Sequence, residues 1–174
     1  MNRLFFQLLA LAVLLILFQM LIIDKLPLST YISPEVYLMF ILILPFKYST
    51  IKSMLWAFAL GLTIDLFSYG VLGLHIISLV AIAYLRPQLL KMVTGNNNIE
   101  NIQLPSSQTL GFRPFLAYIS LSVCCYLIIL FCLDNYSFHN LPQLFQRIIL
   151  SAMTTTLFIV VLQYAFIGRP NKKT

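Results

Sequence analysis

The chain has 174 residues, a length that would suit one soluble domain, but 60% of it is hydrophobic and only 9% is charged. Soluble domains carry about 25% charged residues, so a mean hydropathy of +0.93 excludes a water-covered surface. The net charge of +6 comes from eleven Lys/Arg scattered singly or in pairs between apolar runs, which excludes a clustered nucleic-acid face and fits topology signals. The class expected is a small, all-α, polytopic membrane protein.

Six transmembrane helices are predicted. The first covers 4–23, broken only by Gln7 and Gln19 and long enough to span. Its Met1-Asn2-Arg3 start looks like a signal peptide. However, the apolar run is longer than a typical h-region, and Ile22-Ile23-Asp24-Lys25 offers no small-residue cleavage site, so a retained helix is expected. After a turn-rich loop, Pro34-Glu35 reads as a helix start, and the second helix runs over 34–46 with Pro45 at its end or kink. The third covers 49–67. A tight Ser68-Tyr69-Gly70 connection leads to the fourth, over 71–85 or as far as Leu90 with Arg86 snorkelling. So short a link makes helices three and four an antiparallel hairpin. Residues 86–113, with an Asn96-Asn97-Asn98 run, read as a polar loop. The fifth and sixth helices cover 114–133 and 144–167, the last stopped by Gly168-Arg169-Pro170.

With the N-terminus inside, nine Lys/Arg fall on the inner side (Arg3, Lys47, Lys52, Arg86, Lys91, Arg113, Arg169, Lys172, Lys173) and two outside (Lys25, Arg147). The positive-inside rule therefore places both termini and the 86–113 loop in the cytoplasm, and the Ser68–Gly70 turn outside.

Asp65 stands out because an ionisable residue at a helix centre in the bilayer costs about 2.5–3.5 kcal/mol. Stepping back by four residues gives Gly61, Ala57 and Ser53, a stripe of small residues suited to close helix packing in lipid. Residues at i and i+4 share a face, so Asp65 points toward protein. Three roles are open to it: a structural hydrogen-bonding group at the hairpin turn or a nearby helix, contact with a partner helix or subunit, or the lining of a substrate or proton pathway. His75 could meet it across the hairpin, although an enzyme would also need a nucleophile, for which only Ser68 and Ser78 are near. Gly70 and Gly73 serve turn geometry and close backbone approach.

The other residues suggest less chemistry. Cys124, Cys125 and Cys132 lie in one apolar run without metal-type His spacing and read as small apolar helix residues. Asp24, Glu35, Asp65, Glu100 and Asp134 are isolated in sequence, which weighs against metal-dependent membrane hydrolases and proton-coupled pumps. No cofactor, metal site or catalytic residue is expected. Ala117, Ser120 and Cys124 in the fifth helix and Ser151, Ala152 and Thr154 to Thr156 in the sixth read as packing stripes, and His139 as a solvated loop residue.

The block Leu44-Pro45-Phe46, a short basic turn at Lys47–Lys52, then Gly61…Asp65-Leu66-Phe67-Ser68 and Gly70-Val71-Leu72-Gly73-Leu74-His75, ending at Ala83-Tyr84-Leu85, resembles the rod shape-determining protein MreD family. The 86–113 loop is longer than the link the family leads one to expect, and the second half adds only an outline. The resemblance implies a non-enzymatic subunit of the bacterial cell-elongation complex in the inner membrane, organising peptidoglycan synthesis. It implies MreC as direct partner, and MreB, RodA and the RodA transpeptidase as indirect ones; the apolar composition itself adds the lipid bilayer as a neighbour, and a homodimer is left open. It also implies a fold like that of the S-components, the six-helix substrate-binding subunits of vitamin transporters. That likeness leaves an alternative function, a small-solute binding or transport subunit in which Asp65, His75 and Gln19 line an outer cavity.

Overall fold

The computed structural model describes residues 2–25, 32–45, 48–67, 71–95, 105–134 and 141–167. Their regular structure is entirely helical: α1 (Asn2–Leu21), a 3-10 turn (Ile23–Lys25), α2 (Leu38–Ile43), α3 (Thr50–Phe67), α4 (Leu74–Thr94), α5 (Ser107–Leu110), α6 (Phe112–Asp134) and α7 (Leu141–Ile167). A helix satisfies its backbone polar groups internally, which is what an apolar chain in lipid must do. Among the described residues, four helices are long and apolar enough to cross a membrane: α3, α4, α6 and the Pro142–Ala165 part of α7. The apolar stretch of α1, Phe5–Leu21, is shorter. Exposed Phe145, Ile149, Met153 and Leu157 recur every fourth residue along α7 and form an apolar outer face. The chain is thus a helical membrane protein.

The second predicted helix departs most from expectation. Of 34–46, only the six residues Leu38–Ile43 are α-helical, about 9 Å of helix against a hydrocarbon core about 30 Å thick. Pro34 and Glu35 are irregular and Val36-Tyr37 form a turn, yet 34–44 are all buried. Pro45 withholds a backbone donor and holds Leu44 in an extended conformation, so the helix stops at Ile43, whereas at the other end the chain turns at Val36-Tyr37 although Pro34 would permit a helix start. The segment runs opposite to α6, since Tyr37 meets Tyr126 and Leu42 meets Tyr118. It runs in the same direction as α7, since Ser33 meets Ser151 and Glu35 meets Thr155.

The fourth helix also differs. Instead of 71–85, α4 covers Leu74–Thr94 and contains Pro87. Packing carries the helix past the missing N–H, since Leu89 is 6% and Leu90 0% exposed. Arg86 does not snorkel: it is 3% exposed and bonded inside the bundle. The predicted 86–113 loop accordingly gives its first residues to α4 and its last to α5 and α6. The Asn96–Asn98 run lies outside the described residues.

The α3–α4 hairpin is present as expected, and Gly61 explains how close its helices come. A Cβ built on Gly61 would lie 2.7 Å from Ile76 Cα and 2.9 Å from Ile76 N. Two backbones therefore touch there, which is how small residues earn their place in lipid, where dispersion rather than hydrophobic burial holds helices together. The largest buried side chains include Tyr37, Phe40, Phe115, Tyr118 and Tyr126, so the core lies around the irregular segment and α6.

Candidate functional site

Asp65 ends the buried stripe of α3, in line with Ser53 and Ala57, which are 3% and 0% exposed. Its carboxylate reaches across to the first turn of α4. Oδ2 accepts from the N–H groups of Gly73 at 2.9 Å and Ile76 at 3.2 Å. Oδ1 accepts from the main-chain N–H of His75 at 3.2 Å and from the ring Nδ1 at 2.7 Å. The first N–H groups of a helix have no intrahelical partner and carry the positive end of its dipole. Asp65 is therefore a cap for α4 supplied by the neighbouring helix.

The local sequence makes this necessary. The residue at the N-cap position of α4 is Gly73, which has no side chain to cap with and adopts a left-handed φ of 100°. That conformation suits glycine and carries the chain into the helix while leaving its N–H groups pointed at α3. Charge-assisted hydrogen bonds of this kind are roughly twice as strong as neutral ones, which offsets the cost of a buried carboxylate.

Beyond His75 the polar contacts continue. Its ring stands edge-on to that of Tyr37, 6.1 Å between centroids, and the Tyr37 hydroxyl lies 2.8 Å from that of Tyr126. Tyr37 also interacts with the Glu35 carboxylate. The irregular backbone around them is held by side chains. Gln19 Nε2 donates to Pro34 O at 2.9 Å, and its Oε1 accepts from Val36 N at 3.0 Å. Ser151 Oγ accepts from Ser33 N at 3.1 Å and Thr155 Oγ1 from Glu35 N at 3.0 Å. At the far end of α2, Arg86 Nη2 donates to Leu44 O and Arg86 Nε to Tyr118 Oη, which donates to Leu42 O. Non-helical backbone inside a membrane protein is tolerated where protein groups satisfy it, and these side chains do so.

Of the predicted site residues, the structure brings together Gly61, Asp65, Gly73 and His75, with Ser53 and Ala57 buried along the same stripe. Gly70, Ser68 and His139 lie outside the described residues. The Ser78 hydroxyl turns into its own helix and donates to Leu74 O at 2.7 Å. Among the described residues no group of three or more His, Cys, Asp or Glu could hold a metal ion. The residues that satisfy the irregular segment were read differently from sequence: Ser151 and Thr155 as a packing stripe, Glu35 as a helix start, and Arg86 as snorkelling. The signal available in the sequence is Pro45, which ends the helix and leaves the Leu42 and Leu44 carbonyls in need of partners.

The fold and site define a helical membrane protein with a hairpin locked by a buried acid. No family model, no curated protein and no solved structure matches the chain.

Proposed function

We propose that this protein is a non-enzymatic subunit of the bacterial cell-elongation complex, of the MreD type, crossing the inner membrane six times with both termini in the cytoplasm. The reading rests on the resemblance of the block from Leu44 to Leu85. The observation that supports it is how that block uses its polar residues. Asp65 and His75 bond each other and the start of α4, and Gly61 sets the α3–α4 contact. In this reading these residues hold the hairpin in the shape that a partner docks on. In this reading α1 and the irregular 32–45 segment are the first and second passes, and the complex works through MreC, with MreB, RodA and the RodA transpeptidase beyond it.

Deletion of the gene in a rod-shaped host is expected to give rounded cells, and MreC is expected to co-purify with the protein from membranes. Unaltered rods would sink this reading. One observation favours a second: irregular backbone between helical pieces is where many transporters bind solutes, and 32–45 is such a segment. A small-solute binding subunit of the S-component type would leave shape intact and lower uptake of one metabolite in the deletion strain.

A further inference from the structure

Asp65 and Glu35 are both buried acids, 3% and 8% exposed, but their partners differ in one physical respect. Three of the four donors on Asp65 are main-chain N–H groups, and each oxygen accepts two bonds. A carboxylate offers about four acceptor positions, and on Asp65 all four are taken. Backbone N–H groups only donate and cannot reverse.

Glu35 stands beside groups that can reverse. Its carboxylate interacts with the Tyr37 phenol, and its charge reaches Tyr126. The two phenol oxygens are 2.8 Å apart, and either can donate. A hydroxyl rotates and both donates and accepts. With Glu35 ionised, Tyr37 donates to it and Tyr126 donates to Tyr37. With Glu35 protonated, its O–H donates to Tyr37, and Tyr37 donates to Tyr126. Two hydrogen bonds join the three groups in either state, with the heavy atoms unmoved, so neither state strands the acid without a partner.

Among the described residues, the other titratable groups facing this cluster are Asp65 on α3, whose charge reaches Tyr126, and His75 on α4, packed against Tyr37. From α1 and α7 come uncharged partners, Gln19 on Val36 N and Thr155 on Glu35 N. We propose that Glu35 is a reversible proton-binding site inside the bundle, with the hydroxyls of Tyr37 and Tyr126 as its exchangeable partners. A proton is small enough to need no cavity. Its arrival removes the charge where the irregular segment joins α1 and α7.

Infrared difference spectroscopy on the full chain in lipid nanodiscs, stepped from neutral to acidic pH, tests this. Wild type is expected to show a C=O band of a protonated carboxyl that is missing in Glu35→Gln. In Tyr37→Phe the band remains but changes frequency, because its hydrogen-bond partner is gone. No such band in wild type, or an unaltered one in Glu35→Gln, overturns the proposal. Trp56, packed 5.5 Å from Phe40 between ring centroids, reports native folding by its emission. Should Glu35→Gln fail that check, the Tyr37→Phe comparison decides, and an unshifted band overturns the proposal.

Discussion

Asp65 and Arg86 perform matching tasks on the two helices of one hairpin. Asp65 on α3 accepts from the N–H groups that open α4, whereas Arg86 on α4 donates to the Leu44 carbonyl just past the end of α2. The anion meets the positive end of a helix and the cation the negative end. Along α4 the two contacts are separated by the 11 residues from His75 to Arg86, about 16 Å of helix. Each buried charge satisfies backbone that the local sequence leaves open.

Replacing Asp65 tests the first of these contacts. Asp65→Leu removes every acceptor and leaves three partly buried N–H groups without their partner, at up to about 1–3 kcal/mol for a group fully stranded. Asp65→Asn keeps one acceptor oxygen and turns an amide N–H₂ toward the donors of Gly73 and Ile76, so it is expected to lie between wild type and Asp65→Leu. His75→Phe removes only the ring contact and is expected to cost least. Denaturation in detergent micelles, followed by circular dichroism, gives the ranking; Asp65→Leu as stable as wild type would refute the capping role.

Gly61→Ala is expected to destabilise the hairpin by about 1–3 kcal/mol, the usual range for overpacking. The added methyl would sit 2.7 Å from Ile76 Cα. Since the clash is with main chain, Ile76→Ala should not restore stability. Recovery in the double variant, measured by the same unfolding assay, would show that the contact is a side-chain one.

Arg86→Met keeps the apolar stem but withdraws the donor from Leu44 O and Tyr118 Oη. A loss of about 1–3 kcal/mol is expected, concentrated at the end of the irregular segment. A single cysteine placed at Leu44, which is 0% exposed in the native chain, should react with a small maleimide faster in the Arg86→Met background. Equal labelling rates would mean that Arg86 does not hold this end.

Gln19→Leu removes both the donor to Pro34 O and the acceptor for Val36 N. Gln19→Glu keeps an acceptor and loses the donor. Stability is expected to fall in the order wild type, Gln19→Glu, Gln19→Leu, and loss of hydrogen-exchange protection at Val36 should be greatest in Gln19→Leu. Protection at Val36 unchanged by Gln19→Leu would place its anchor elsewhere.

The apolar helices were readable because their length and composition leave few other structures in lipid. The hairpin was readable because the link between helices three and four is so short, and the inward direction of Asp65 because Ser53, Ala57, Gly61 and Asp65 repeat every fourth residue. What Asp65 accepts from was not, because capping across two helices depends on where the α4 turn falls in space, and Gly73 itself carries no capping group. The second helix was misread because an apolar run shows hydrophobicity without showing backbone satisfaction. Pro45 signals the end of the helix, but Gln19, Arg86, Ser151 and Thr155 come from three distant helices. Arg86 looked like a snorkelling residue because its carbonyl partner lies 42 positions away in sequence.

The Ser33–Ser151 and Glu35–Thr155 bonds join positions 118 and 120 residues apart. A ribosome makes the early partner of each pair long before the late one. Until α7 emerges, the N–H groups of Ser33 and Glu35 need other company, such as water at the mouth of the insertion machinery or lipid headgroups. The Ser33–Glu35 stretch therefore reaches its final bonding only once α7 has been made.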